Sequence, residues 1–320
     1  SLYLGSGPVT GNLRTGVFAQ YADLETKITG STEHNNLGES VNSLNVQAFL
    51  EYRVRERLTL QVNVPYLNRD YRQLQGGALK DGSESGLGDV SLLARYAVLA
   101  GRDAASSWRV ELLGGVKLPT GDSDRLREET APGPAGADHD SDAVHSRLAR
   151  HAAGDHAGSG HAEADSSEDD HNESVIHEHN LALGSGSTDG LLGVAARGER
   201  EGWYGRGQAQ YWLRTEGDHA YRYGNDLMVT VAAGRLLVRG RGPELGVGVH
   251  AVYETREADE QAGASIPNTE VTAWYAGAHA DWTSGALDSE LAFDLPIEQE
   301  SAGTSLVPDY RVRASVGLVF

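Results

Sequence analysis

The sequence lacks cysteine entirely, which excludes a disulfide framework and thiolate metal sites. It also lacks any apolar run approaching about 18 residues, so it contains no candidate transmembrane helix. Basic residues are scarce, with 27 lysines and arginines against 46 aspartates and glutamates and a net charge of −19. Because phosphate binding needs a basic patch, this balance argues against nucleic acid as a partner.

Glycine is abundant, with 40 residues, and many segments alternate between apolar and polar side chains. In residues 306–320 the even positions from Tyr310 to Phe320 are mainly apolar, whereas Arg311 and Arg313 lie on the other parity. Such period-2 alternation predicts a strand with one apolar and one polar face. A soluble double sandwich buries the apolar face against a second sheet, whereas a membrane barrel exposes it to lipid and keeps the polar face in its lumen.

Alternation and turn signals predict twelve strands. They are expected at 15–28, 42–54, 57–68, 86–99, 107–118, 185–196, 202–214, 224–238, 244–256, 270–282, 286–296 and 306–320. Every second link is short, namely 55–56, 100–106, 197–201, 239–243 and 283–285. Outer-membrane barrels alternate tight periplasmic turns with longer outer loops, and a double sandwich does not explain this regularity.

We therefore expect residues 1–320 to form a single all-β domain. It is predicted to be a twelve-stranded, antiparallel, up-and-down transmembrane β-barrel in a bacterial outer membrane, with periplasmic termini and the lipid bilayer as its surroundings. Closing the barrel removes exposed strand edges.

Three glycine-containing stretches resemble those of a known family. They are Gly86-Leu87-Gly88-Asp89, Lys117-Leu118-Pro119-Thr120-Gly121 and Leu183-Gly184-Ser185-Gly186-Ser187-Thr188-Asp189. The chain resembles the outer-membrane β-barrel family associated with the meta-pathway of phenol degradation. The resemblance spans most of the chain apart from the loop after the fifth strand. It implies an outer-membrane barrel that passes small, often hydrophobic or aromatic, solutes.

Residues 121–183 form a low-complexity loop rich in histidine and acidic residues, which we expect to be extracellular. Its histidines are His139, His145, His151, His156, His161, His171, His177 and His179. Imidazole suits zinc, copper, nickel and cobalt. Their irregular spacing favours several weak, exchangeable sites over one tetrahedral zinc site. The loop is thus a candidate metal-binding segment, with no obligatory cofactor, or else a solvated acidic shield or a surface for a partner.

The polar parity of the strands supplies the candidate lumen residues. These are Glu51, Arg53, Arg95, Arg109, Glu111, Arg206, His250, His279, Asp281, Arg311 and Arg313. Charges inside a narrow barrel are expected to pair across the lumen. Three of them, His250, His279 and Asp281, are also candidate cation ligands. No nucleophile elbow is placed on a strand-turn-helix, so the chain is not expected to be an enzyme.

Three functions remain open from the sequence. The first is a channel or facilitator for small solutes whose histidine-rich loop binds divalent metal for uptake or handling. The second is an uptake channel for aromatic or hydrophobic compounds, with an apolar pocket near Phe49, Trp212 and Tyr275, which lie on polar parity. The third is a non-conducting barrel that anchors the loop, which then recruits metal or a surface or periplasmic protein.

Overall fold

A computed structural model of the protein describes residues 12–130, 174–176, 178–238 and 242–320. The described residues form sixteen β-strands, and thirteen of them make up one antiparallel main sheet. The strands are β1 (Leu13–Gly30), β2 (Thr32–His34), β3 (Ser40–Arg55), β4 (Leu58–Gln75), β5 (Ala78–Leu87), β6 (Ser91–Arg102), β7 (Ser106–Lys117), β8 (Asp189–Arg200), β9 (Trp203–Leu213), β10 (Tyr221–Arg222), β11 (Asp226–Val238), β12 (Glu244–Arg256), β13 (Glu260–Gln261), β14 (Ala264–Ser265), β15 (Val271–Ser284) and β16 (Leu287–Val319).

Neighbouring strands in the sequence pair with each other around a closed ring. The order is β1, β3, β4, β6, β7, β8, β9, β11, β12, β15 and β16, and β16 pairs back onto β1. The closing register runs from Arg14 opposite Val319 to Gly30 opposite Ser301. Closure satisfies the backbone groups that an open sheet edge leaves unpaired. The prediction of an antiparallel up-and-down barrel is thereby confirmed.

Eleven strand elements make up this ring, and the last of them is unusually long. The 33 residues of β16 would span roughly 105 Å if they were straight. Instead Val319 N lies 2.8 Å from Ala286 O, and Arg313 Nη2 lies 2.9 Å from Asp294 Oδ1. The element therefore folds back on itself, and the predicted strands 286–296 and 306–320 both fall within it. The count of twelve stays a prediction at this point.

Two strands lie outside the ring. β2 pairs with the end of β1, and β5 pairs with the part of β4 that extends beyond β6. The predicted fourth strand begins later than expected because Gly88 to Val90 interrupt the pairing opposite Pro65, where Gly88 N donates to Pro65 O. A separate sheet of β10, β13 and β14 lies among the long loops at the same end of the barrel.

The short links confirm the predicted alternation, since residues 56–57, 103–105, 201–202, 239–243 and 285–286 separate strands at one end of the barrel. We call this the turn end, and the opposite end the loop end. Two short helices, α1 (Asp124–Thr130) and α2 (Glu178–Leu181), lie in the connection between β7 and β8. None of the helices in the described part of the chain is long and apolar enough to cross a membrane.

The two faces of each strand have opposite character. In β3, Leu50 and Tyr52 are 46% and 51% exposed, whereas Phe49 and Glu51 are 2% and 1% exposed. The same pattern continues around the ring, where the outward side chains include Leu60, Leu112, Leu192, Val249, Leu291 and Val316. The barrel thus has an apolar outer belt and a mixed polar and aromatic interior, as the alternation predicted.

Candidate functional site: the barrel lumen

The lumen contains two chambers along its axis. The chamber nearer the loop end has a volume of about 670 Å³ and is partly apolar. The chamber nearer the turn end has a volume of about 140 Å³, and its wall mixes charged side chains, such as Arg206, Glu290 and Arg313, with apolar ones. We call them the loop-side and turn-side chambers. Gln20, Met228, Glu254 and Arg311 contribute to the walls of both, so these residues lie between the two cavities.

Charged side chains pair within the turn-side part of the lumen. Arg14 bonds Asp288, and its Nη1 lies 3.4 Å from Glu51 Oε2. Glu51 also pairs with Arg95 at 3.0 Å. These groups come from β1, β3, β6 and β16, and Arg14 stands directly opposite Glu51 on the adjacent strand. These lumen charges therefore pair between nearby strands of the wall, whereas the prediction was pairing across the barrel.

The remaining predicted lumen residues continue this network. Arg206 on β9 contacts Asp281 at 3.2 Å and Glu290 at 2.8 Å. Arg109 lies 3.3 Å from Glu111 on the same strand, and its Nη2 donates to Glu56 O at the turn end. Arg53 is half-buried on the inward face of β3, and the described residues offer it no ion-pair partner.

The two strand histidines are neighbours at mid-lumen. Their Nδ1 atoms lie 3.3 Å apart, and His250 Nε2 bonds Asp294. Tyr204 OH lies 2.9 Å from His279 Nε2 and donates to Asp281 Oδ2 at 2.9 Å. The network therefore reaches from β9 through β15 and β12 to β16, with its ring nitrogens already engaged by neighbouring groups.

Arginines close the same network from the other side. Arg313 donates from Nε to Asp294 Oδ2 at 2.9 Å, and its Nη2 lies 3.0 Å from His250 Nε2. Arg311 donates to both carboxylate oxygens of Glu254, at 2.8 and 3.0 Å. A guanidinium beside the imidazole repels a metal ion. Across the described part of the chain, no group of three or more His, Asp or Glu side chains forms a metal site, so the structure gives the suggested His250, His279 and Asp281 ligand set no support.

The three glycine-containing motifs meet in a buried cluster at the loop-side chamber. Lys117 Nζ lies 2.8 Å from Asp89 Oδ2 and 2.7 Å from Asp189 Oδ2, and it also bonds Ser185. Arg214 donates to Asp189 at 2.9 Å. The Asp189 side chain is fully buried and that of Lys117 is 10% exposed. We call these five residues the motif cluster.

Backbone groups complete the motif cluster. Asp89 Oδ1 accepts from Gly121 N at 2.9 Å, and Asp89 Oδ2 accepts from Ser185 N at 3.0 Å. Gly121 and Gly184 touch so closely that a Cβ on Gly184 would lie 2.5 Å from the Gly121 carbonyl carbon. The glycines are therefore required for close backbone approach. The cluster holds both ends of the predicted long loop against the barrel wall.

Residues beside the cluster cover the loop-side chamber. Leu126 and Leu181 are fully buried, and Ile176 packs with Leu181 against Val41. Glu39 accepts hydrogen bonds from Ser174 Oγ at 2.5 Å and from Leu74 N at 2.9 Å. The described ends of the long loop thus form a packed layer inside the mouth of the barrel, which we call the roof. The prediction of a low-complexity loop at residues 121–183 did not include this packing.

The aromatic residues expected on the inner face are indeed inside. Phe49, Trp212 and Tyr275 are 2%, 7% and 3% exposed. A guanidinium covers each ring: Arg14 lies 4.8 Å from the Phe49 centroid, Arg214 4.9 Å from Trp212 and Arg311 3.6 Å from Tyr275. Because cations already occupy these ring faces, the rings do not form one open aromatic pocket.

Several lumen residues escaped the sequence reasoning. Arg14 and Arg69 lie just beyond the predicted ends of their strands, and Tyr204 shares the inward parity of Arg206. Extending the predicted strands 15–28 and 57–68 by one residue would have placed Arg14 and Arg69 inside, and Tyr204 already lies within the predicted strand 202–214. Seven of the eight proposed loop ligands lie outside the described residues: His139, His145, His151, His156, His161, His171 and His177. The eighth, His179, lies on α2, but its side chain is outside the described set.

The chain is similar in fold to solved structures of known proteins. No protein-family model matches the chain, and no curated protein matches it. The COG4313 outer membrane channel from Pseudomonas putida F1 is similar over 100% of both chains, with 15% identity and a TM-score of 0.64. This likeness identifies the architecture as that of an outer-membrane β-barrel.

Two further solved structures are similar at lower scores. The beta domain of the Bordetella autotransporter Brka matches 96% of this chain and 99% of its own, with 10% identity and a TM-score of 0.43. A Pseudomonas aeruginosa FadL homologue matches 97% of this chain and 90% of its own, with 9% identity and a TM-score of 0.38.

Proposed function

We propose that this protein is an outer-membrane channel or facilitator for small solutes. The observation that carries the proposal is the pair of neighbouring chambers inside a closed barrel whose outer belt is apolar. An apolar belt of this kind suits lipid, and a polar lumen suits a path for solutes. The solved COG4313 channel, which shares the fold over its whole length, supports the same assignment.

Its placement in the membrane follows from the same features. The two limbs of β16 count as separate strands in this proposal, which makes twelve strands in the ring. The short links and both termini then lie on the periplasmic side, and the long loops lie outside, as is usual for such barrels. Cysteine labelling tests this directly: a cysteine introduced at the Asp103 turn should react with a membrane-impermeant reagent only after the outer membrane is opened.

Conductance of the purified protein in a planar bilayer tests the channel itself. Discrete, salt-dependent current steps are expected from the full chain. A barrel that stays sealed in every salt and voltage tried would instead favour the non-conducting anchor, for which the paired charges in the turn-side lumen are the supporting observation. These two outcomes separate transport from anchoring without knowledge of the solute.

The histidine-rich loop gives this channel a metal-binding segment in our proposal. Both described ends of the loop are held at the barrel mouth by the motif cluster and the roof, which supports placing the loop above the pore. Titration of zinc and of copper by calorimetry, with and without residues 137–180, tests the assignment. Saturable binding that needs the loop and weakens when imidazoles are protonated is expected. Equal, negligible heats from both proteins would contradict it.

Uptake of aromatic or hydrophobic compounds is the second candidate. The buried positions of Phe49, Trp212 and Tyr275 in the lumen favour it, whereas the arginines over their rings act against a stacking site. Swelling of liposomes that contain the protein should be compared for phenol and for an uncharged sugar of similar size. A clear preference for phenol is expected if this candidate is right, and equal rates would exclude it.

A further inference from the structure

Two guanidinium groups in the loop-side chamber are only weakly neutralised by acidic side chains. Arg69 on β4 donates from Nη1 to Ala182 O at 2.5 Å, and among the described residues no carboxylate lies within ion-pair distance of it. The arginine side chain carries five N–H donors, so most of those on Arg69 face the chamber without an acidic acceptor. A half-buried cation in this state is suited to an anionic ligand.

Arg256 on β12 is in a similar position. Its Nη2 is 3.4 Å from Thr269 O, and its Nε has no hydrogen-bond partner. The nearest carboxylate, Asp259, is 3.9 Å away. That carboxylate already accepts from Tyr221 OH at 2.6 Å and from Gly224 N at 2.7 Å. Arg256 is therefore weakly neutralised.

Both guanidiniums act on the same end of the chamber, beside the hydroxyl of Tyr223. Burial raises the pKa of this hydroxyl, and the positive charges of Arg69, Arg256 and Arg214 oppose the rise. Arg214 differs from the other two because it is paired with Asp189 and with Asp226. The unsatisfied positive charge at this end thus belongs to Arg69 and Arg256.

Apolar side chains form a large part of the chamber wall, among amides, hydroxyls and carboxylates that already have basic partners. The apolar side chains include Leu67, Leu183, Leu227, Met228, Val271 and Val307. The volume of about 670 Å³ lies within the range of sites that hold small organic molecules. Such a wall beside two cations suits a molecule with one acidic end and an apolar body.

We propose that the loop-side chamber binds small organic carboxylates, with the carboxylate on Arg69 and Arg256 and the apolar body against Met228 and Leu183. A carboxylate accepts two parallel hydrogen bonds from a guanidinium, which matches the free donors of these side chains. The inference rests on the proposed function only in that the solute enters the lumen from solution. Binding itself does not require conduction.

Calorimetry on the full-length protein in detergent tests the proposal, with benzoate as the probe and benzamide as its neutral counterpart. Saturable benzoate binding is expected, with benzamide at least about tenfold weaker because it lacks the charge. Arg69→Gln and Arg256→Gln should each weaken benzoate binding about tenfold. Arg72→Gln is the matched control, since Arg72 lies on the same strand in an exposed pair with Asp81.

The outcomes separate this inference from the channel itself. Equal affinity for benzoate and benzamide, or unchanged benzoate binding in Arg69→Gln, would overturn the carboxylate site. Binding of acetate as tight as that of benzoate would overturn the role of the apolar wall. Bilayer conductance of the same preparations distinguishes the two proposals: a conducting barrel without benzoate binding refutes only the site, and a sealed barrel that binds benzoate refutes only the channel. Circular dichroism checks that each variant is folded.

Discussion

The two chambers of the lumen differ in how their charges are balanced. In the turn-side part, basic and acidic side chains from nearby strands pair directly, as Arg14 does with Asp288 and Arg313 with Asp294. In the loop-side part, the pairs are gathered in the motif cluster, while Arg69 and Arg256 remain without close carboxylates. The turn-side lumen is thus narrow with its charges paired, whereas the loop-side chamber is wider and retains weakly neutralised arginines.

The largest effect is expected from removing Asp189, because the motif cluster then contains Lys117 and Arg214 with one carboxylate fewer. Asp189→Ala should lower the free energy of unfolding by about 3–5 kcal/mol, the usual cost of breaking a buried ion pair. Urea unfolding of the detergent-solubilised barrel measures it. Asp81→Ala, which removes an exposed partner of Arg72, is the control and should leave stability unchanged. Equal losses of unfolding free energy in both variants would mean that the buried motif cluster stabilises the protein no more than an exposed ion pair does.

A second large effect is expected for the network of charged side chains in the turn-side chamber. Arg313→Ala removes two hydrogen bonds to Asp294 and the contact with His250, which widens the lumen and leaves negative charge uncompensated. Single-channel conductance should rise several-fold, and selectivity should shift toward cations.

The control for this prediction is Arg72→Ala. Arg72 lies on β4 in an exposed ion pair with Asp81, outside the lumen. Reversal potentials in a salt gradient report the change in selectivity. Unaltered conductance and selectivity in Arg313→Ala would mean that the turn-side network does not line the conducting path, and the two chambers would then not form one channel.

A smaller effect is expected where the loop ends meet. Gly184→Ala would place a Cβ 2.5 Å from the backbone of Gly121, so the loop ends must separate. The expected loss of stability is about 1–3 kcal/mol, as for other overpacked sites. Faster protease cleavage within residues 118–188 should accompany it.

Gly114 on β7 offers the matched control. A Cβ there meets no atom within 4 Å, so Gly114→Ala should alter neither stability nor cleavage. If Gly184→Ala behaves like Gly114→Ala, close packing of the loop ends is not needed to hold the roof.

The smallest effect belongs to the turn between β6 and β7. Asp103 accepts hydrogen bonds from Ala105 N and from Ser106 N and Oγ, and the Ser106 hydroxyl and these amides lower the pKa of its carboxyl. Because the folded-state pKa lies below the unfolded value, the ionised carboxylate favours folding at neutral pH. This contribution is lost as the pH falls through the folded-state pKa.

Asp103→Asn should therefore lower the melting temperature slightly near neutral pH, and the difference from the native protein should vanish in strong acid. Thermal unfolding at both pH values measures this. A difference that is the same at both would show that the turn geometry, and not the charge, is responsible.

Local patterns in the sequence were sufficient to predict the strands that form the wall of the barrel. The period-2 alternation in 244–256 predicted β12 with the same bounds, and the alternation in 42–54 placed Glu51 inside and Leu50 outside. The short links could also be predicted, because the alternation of apolar and polar residues stops at a hairpin turn. Strand ends were less predictable, because β4 continues beyond residue 68 by pairing with both β3 and β5.

The sequence by itself determined a closed antiparallel barrel with an apolar outside and a charged inside, because the side chains of a strand alternate between its two faces whatever lies around it. It did not determine which charges meet. The pairing of Arg14 with Asp288, 274 residues apart, depends on closure of the ring, and the meeting of Asp89, Lys117 and Asp189 depends on the register of β6, β7 and β8. Only the tertiary structure decides such contacts. The order and stagger of the strands set where each side chain lies along the barrel axis and which other side chains it faces in the lumen.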